Sequence, residues 1–183
     1  MATFDKRLHI RKADTSDEES IRQIHLEAFD DDESELVANL ACDLLKERTS
    51  SGIVNLVAEE GMVLVGHIAF SPVLSKAEGS LAGYLLGPLA VKPSYQRKGI
   101  GKELIERGLE ELSPFNVGVI LVYGDPNYYS RFGFKREVAE KYIPPFQLKH
   151  PFGWQGIDCL NEASHHDPLP IACVEALNKP ELW

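Results

Sequence analysis

The chain has 183 residues, 44% of them hydrophobic and 26% charged, with a formal net charge of -9. That length suits one compact domain with a substantial core, here taken as residues 1–183, and the composition excludes a disordered or collagen-like chain. The acidic balance and the shortness of every basic cluster argue against a nucleic-acid partner, and fit either a cationic ligand or solubility alone.

In chain order, Met1-Ala2-Thr3-Phe4-Asp5-Lys6-Arg7 lacks the apolar core of a signal peptide, and no apolar run reaches the roughly 18 residues that cross a bilayer. A cytoplasmic location with no membrane partner is the expectation. Leu8-His9-Ile10-Arg11 alternates as a first strand. Thr15-Ser16-Asp17-Glu18 then reads as a capping box with Thr15 as N-cap, opening a helix to about Phe29 whose apolar face is Ile21, Ile24, His25 and Ala28. The acidic run Asp30-Asp31-Asp32-Glu33 offsets the positive end of a second amphipathic helix carrying Leu36, Val37, Leu40, Leu44 and Leu45.

Ile53 to Glu59 and Met62 to Leu74 read as strands joined by a turn at Glu60-Gly61, and Ala82 to Val91 as a third. A helix follows from about Gly99 to Leu112, then a strand from Val117 to Tyr123 and a short helical stretch from Asn127 to Arg131. Six of the 11 prolines fall after residue 138, which predicts a loop-rich extension over 138–183 packed on the core, with one strand near Ile171 to Ala176. The order predicts an α/β (α+β) fold, a mixed sheet flanked by helices. Cys42, Cys159 and Cys173 are widely spaced and suggest neither a disulfide framework nor a zinc site. His165-His166-Asp167 is a weak metal signal, so no metal is predicted.

The densest chemistry lies at Gln96-Arg97-Lys98-Gly99-Ile100-Gly101, at the mouth of a helix. Glycines there let a bulky anion approach unpaired helix N–H groups, and Arg97 and Lys98 add positive charge. A P-loop is excluded because Gly101-Lys102 is followed by Glu103, and a dinucleotide fingerprint because Leu104 stands where its third glycine belongs. On spacing alone two readings stand: a phosphate cradle, or a helix that starts close to a sheet.

"LGPLAVKPSYQRKGIG" followed by "YYSRFGF" resembles the GNAT superfamily, the GCN5-related N-acetyltransferases, with 96–101 matching its Q/R-x-x-G-x-G/A element and 129–134 its Tyr-x-x-Phe/Leu-Gly-Phe element. The likeness spans about residues 7–137, and with "GHIAFSPV" it resembles a bacterial branch of predicted N-acetyltransferases. It implies a twisted mixed sheet and acetyl-CoA as cosubstrate. Backbone N–H groups of Gln96, Arg97, Lys98, Gly99, Ile100, Gly101 and Lys102 would grip the pyrophosphate, and the strand Leu89-Ala90-Val91 would pair with the pantetheine arm. Pro88, which has no N–H, suits a bulge where strands splay, though it also suits an ordinary irregularity.

Tyr129 falls on the family's tyrosine, which protonates the departing thiolate; a phenol of pKa ~10 suits a thiol of ~8.5. Taken alone, a Tyr beside Phe132 and Phe134 also fits core packing. Many relatives carry a Glu or His as general base on the strand before the loop, where this chain has Leu85 and Gly87, and many carry Asn where Val122 stands. Glu33 is the first candidate for the base, with His67 and Asp125 as the others. The resemblance implies transfer of acetyl to a primary amine by direct attack in a ternary complex, and admits the homodimer that many members form. The rival is a non-catalytic acyl-CoA-binding or interaction module, in which Tyr129 would have no task. Phe146, Phe152 and Trp154 in the extension are either acceptor-site anchors or a packed lid.

Overall fold

A computed structural model describes residues 8–160 and 167–183; the segment 1–7 and the pair His165-His166 lie outside the described residues. The chain falls into two compact units: residues 1–48, 53–70 and 88–111 form the first, and 49–52, 71–87 and 112–183 the second.

In the first unit, β1 (Leu8–Lys12) pairs antiparallel with β2 (Val54–Glu60), and β2 with β3 (Val63–Ser75), with a register shift between Ala58 and Glu59. The helices α1 (Glu18–Ala28) and α2 (Asp31–Lys46) follow β1, and α3 (Ile100–Leu112) follows the end of β4 (Leu81–Val91). Ile21 and Ile24 of α1, Ala41 and Leu45 of α2, Val57, Leu64 and Ala90 form one buried cluster. Leu104 and Ile105 bury one face of α3. The three-and-four spacing of these side chains is what makes both helices amphipathic.

The first helix begins one residue earlier than its capping signal suggests. Asp14, not Thr15, is the N-cap of a 3-10 turn over Thr15–Asp17, and the reciprocal partner is Asp17, not Glu18. Asp17 wins because Arg11 grips both its oxygens, at 2.7 and 2.8 Å, while Arg11 Nε also reaches Glu59 at 3.2 Å. This bidentate pair holds the Asp17 carboxyl below its ordinary pKa and ties β1 to the helix start.

In the second unit, β4 runs parallel to β5 (Val119–Tyr123), and β5 antiparallel to β7 (Trp154–Asp158). β8 (Leu169–Ala172) pairs with the end of β3 and with the two-residue β6 (Tyr142–Ile143). The strand order is β1-β2-β3-β4-β5-β7, the mixed sheet that the element order predicts. The extension departs from expectation: its described residues contribute three strands, not one. Its Trp154 is buried and donates its indole N–H to Ala139 O and Tyr142 O, each at 3.0 Å, so it is core and not an acceptor-site anchor.

Among the described residues no helix is long and apolar enough to cross a membrane, and no group of three His, Cys, Asp or Glu could hold a metal ion. The cysteines are free: Cys42 is buried, Cys173 half-buried and Cys159 exposed.

Candidate active site

In the second unit the parallel ladder of β4 with β5 covers Gly83–Leu86 opposite Val119–Val122. At the next residue, Gly87, φ is +150°, a value open to a residue without Cβ. Pro88 follows with no N–H to offer a neighbour. The irregularity expected at Pro88 is therefore seated on the Gly87-Pro88 pair.

Leu89, Ala90 and Val91 belong to the first unit, where Ala90 is buried and its neighbours half-buried. The chain then makes a 3-10 turn over Pro93–Tyr95, and Gln96 folds back so that its Nε2 donates to Val91 O at 3.0 Å. Arg97 has φ +62° and Gly99 φ +88°. Two positive-φ residues in a four-residue loop are the kind of backbone turn from which an anion-binding nest of N–H groups is built. Holding Arg97 there costs on the order of 1 kcal/mol, a strain of the kind kept at binding loops.

α3 begins at Ile100, and its first turn-closing bond runs from Glu103 N–H to Gly99 O at 3.0 Å. By helix geometry the N–H groups of Ile100, Gly101 and Lys102 precede that bond and face outward along the axis. Buried Ile100 and Leu104 anchor this helix start, while Gln96, Arg97, Lys98 and Gly99 are exposed. The Lys98 ammonium sits 4.7 Å from the centre of the Tyr95 ring, which holds the charge beside the nest. Tyr95 is a residue that motif matching passes over; only its place on the 3-10 turn reveals this contact.

Glu33 lies in the same unit, exposed in the first turn of α2, with its N–H bonded to Asp30 O at 2.9 Å. His67 is different. It is fully buried, with Nδ1 2.9 Å from His25 Nε2 and Nε2 3.3 Å from Asn55 Oδ1. Asn55 Nδ2 donates to Leu44 O at 3.2 Å, so its Oδ1 accepts. His67 therefore carries its proton on Nε2 and accepts at Nδ1 from His25 Nε2–H. Burial, reinforced by His25, holds the His67 pKa well below its ordinary value. A buried, neutral, doubly bonded histidine is a core residue, and His67 is withdrawn as a base.

Tyr129 belongs to the second unit, at the end of α4 (Pro126–Tyr129). Asp125 caps that helix by accepting from Asn127 N–H at 2.9 Å. The Tyr129 ring meets Tyr128 edge-on at 5.1 Å and Phe134 at 5.8 Å, as the core-packing reading of this residue expects. It also lies so close over Gly124 that a Cβ there would come within 2.5 Å of Tyr129 Cε2. Gly124 thus sets the ring position, a role that Gly124-Asp125-Pro126 as a turn signal does not announce. Burial raises the Tyr129 hydroxyl well above the ordinary tyrosine pKa, and the neighbouring Tyr128 and Asp125 push it the same way. At neutral pH it is a protonated donor.

Known proteins resemble the chain in sequence and in fold. Residues 51–136 match the acetyltransferase (GNAT) domain family. The chain is 34% identical over 145 residues to YjhQ of Escherichia coli K12, described as an uncharacterized N-acetyltransferase, covering 77% of this chain and 78% of that one. The crystal structure of the GNAT family N-acetyltransferase YhbS from Escherichia coli, in complex with CoA, superposes with a TM-score of 0.78 at 27% identity, covering 98% of this chain and 96% of that one. A GNAT family acetyltransferase from Brucella melitensis, in complex with acetyl-CoA, does so with a TM-score of 0.66 at 32% identity, covering 93% and 98%.

Proposed function

The chain belongs to the GNAT superfamily of N-acetyltransferases, and from that premise we propose that it transfers acetyl from acetyl-CoA to a primary amine by direct attack in a ternary complex. The observation that carries this reading is the 96–102 segment. Its two left-handed residues, its free helix-start N–H groups and the cations of Arg97 and Lys98 fit a pyrophosphate in charge and in donor count. Leu89, Ala90 and Val91 supply the strand that receives the pantetheine arm. The CoA and acetyl-CoA bound to the YhbS and Brucella proteins support the same cosubstrate here.

Acetyl-CoA supplies the thioester: the amine nitrogen bonds to its carbonyl carbon as the C–S bond breaks. Glu33 takes the first proton, from the ammonium, directly or through water, with Asp125 as the alternative acceptor. Tyr129 gives its proton to the departing thiolate sulfur and regains one from the nitrogen of the new amide. Net, one amide, one thiol and one proton are formed. Burial keeps the Tyr129 phenol protonated as each cycle begins, while a pKa raised above the ordinary tyrosine value makes it a weaker acid toward the thiolate and a stronger base for its own recovery.

Tyr129→Phe separates turnover from binding. The proposal predicts kcat lower by about 100-fold with the acetyl-CoA Kd unchanged. Unchanged turnover would refute the role of Tyr129, and acetyl-CoA binding by a wild type that turns over no amine would leave a non-catalytic binding module.

A further inference from the structure

We propose that Gln155 is a positioning residue for the acetyl transfer: from β7 it holds the peptide that leads into α4, and through that peptide the Tyr129 ring. This rests on the role proposed for Tyr129 and names what keeps that side chain in place.

Gln155 stands on β7 opposite Val122 of β5 and is 2% exposed. A buried carboxamide costs free energy unless its polar atoms find partners. Its Nε2 donates to two glycine carbonyls, Gly124 O at 3.4 Å and Gly153 O at 3.5 Å. Both glycines lie just outside the ladder of β5 with β7, whose last pair is Tyr123 with Trp154. Gly124 N–H donates to the same Gly153 O at 2.9 Å, and a Cβ on Gly153 would lie 3.0 Å from Gly124 O. The three residues form one knot at the end of β5, and because two of them are glycines its side-chain donor is the amide of Gln155.

Two routes lead from this knot to Tyr129, and both stay within the second unit. The first is contact: the Tyr129 ring packs over Gly124 so closely that a Cβ there would come within 2.5 Å of it. The second is the backbone. Gly124 O belongs to the peptide plane that joins Gly124 to Asp125, and Asp125 O accepts the N–H groups of Tyr128 and Tyr129, each at 3.1 Å. A donor on Gly124 O resists rotation of that plane, and with it a tilt of α4. Bonds of 3.4 and 3.5 Å are at the long end of the range, so they steer this turn and are not what holds the fold together.

The experiment compares wild type with Gln155→Met, which keeps the length and removes the donor, and with Gln155→Asn, which keeps the amide and shortens its reach. Protein labelled with 13C at tyrosine Cζ reports the placement by NMR, the Tyr129 signal being assigned by its loss in Tyr129→Phe. That signal should move by more than its linewidth in both variants, while Tyr84, whose hydroxyl donates to Ser51 O at 2.7 Å, keeps its signal and shows the fold intact. Thiol release from acetyl-CoA, with the amine that wild type acetylates fastest in a panel of primary amines, should show kcat lower by about 10-fold with the KM for acetyl-CoA unchanged. In a Tyr129→Phe background the same substitutions should lower kcat by no more than about twofold, because the hydroxyl they displace is already gone. A Tyr129 signal that stays in place in the folded variants would overturn the inference and leave the acetyltransferase reading intact. So would equal losses of kcat with and without the Tyr129 hydroxyl. Unchanged turnover in Tyr129→Phe alone would strike the role of Tyr129 itself, and the inference with it.

Discussion

Lowering the pH should destabilise this protein through its buried histidine pair, and by an amount that can be worked out. His25 is fully buried, and burial holds its pKa at about 3 against an ordinary 6.5. Its Nε2–H donates to His67, while its Nδ1 has no partner among the described residues. Because the folded pKa lies below the unfolded one, the unfolded chain takes up a proton below pH ~6.5 that the folded chain refuses. Stability is therefore full above that pH and declines as pH falls toward 3. Between pH 7.5 and 5.0, with a folded pKa about 3, His25 alone accounts for about 2 kcal/mol. That equals a fall of about 1 M in the urea midpoint for an m-value near 2 kcal/mol/M. His67 acts in the same direction. The assay is urea unfolding followed by circular dichroism at the two pH values, for wild type and His25→Gln. Glutamine keeps an N–H donor for His67 but cannot titrate, so the variant should lose about 2 kcal/mol of the pH dependence. A variant with the full wild-type dependence would refute this reasoning.

Two further outcomes follow from the second unit. Gly124→Ala places a methyl group where a Cβ lies 2.5 Å from Tyr129, so the ring must move; kcat should fall at least ~10-fold with the acetyl-CoA Kd unchanged by calorimetry. Trp183 is 2% exposed, stacks on Tyr123 at 6.4 Å and donates to Leu177 O at 3.0 Å. Trp183→Ala should cost about 3–5 kcal/mol by urea unfolding, and Trp183→Phe distinctly less.

The two halves of the chain differ in how well the sequence announces them. The 96–101 loop was legible as a candidate because it depends on local chemistry, glycines at a helix mouth, whereas Tyr129 became a candidate only through the family motif it matches. The helices α1, α2 and α3 were legible because apolar spacing and burial coincide. β7 was not, since Trp154-Gln155-Gly156-Ile157-Asp158 has a glycine in its middle and a buried Gln155; it becomes a strand by pairing with β5, far away in sequence. The capping box lies one residue earlier than the Thr15-x-x-Glu18 pattern predicts because Asp14 is itself a favoured N-cap residue and Arg11 holds Asp17 in the reciprocal place, a contact that no local pattern shows. His25 could be placed on a buried helix face from its spacing, but its partners His67 and Asn55 lie on strands that no local pattern connects to it.

Isothermal titration of the folded protein with acetyl-CoA, alongside Gly99→Asp/Gly101→Asp, tests the central claim most directly. The aspartates place negative charge at the nest and force a side chain onto the left-handed position 99. Micromolar binding by wild type, abolished in the double variant, is the predicted result. A folded wild type that does not bind acetyl-CoA, or a double variant that binds it equally well, would contradict the assignment of the 96–102 segment and the acetyl transfer built on it.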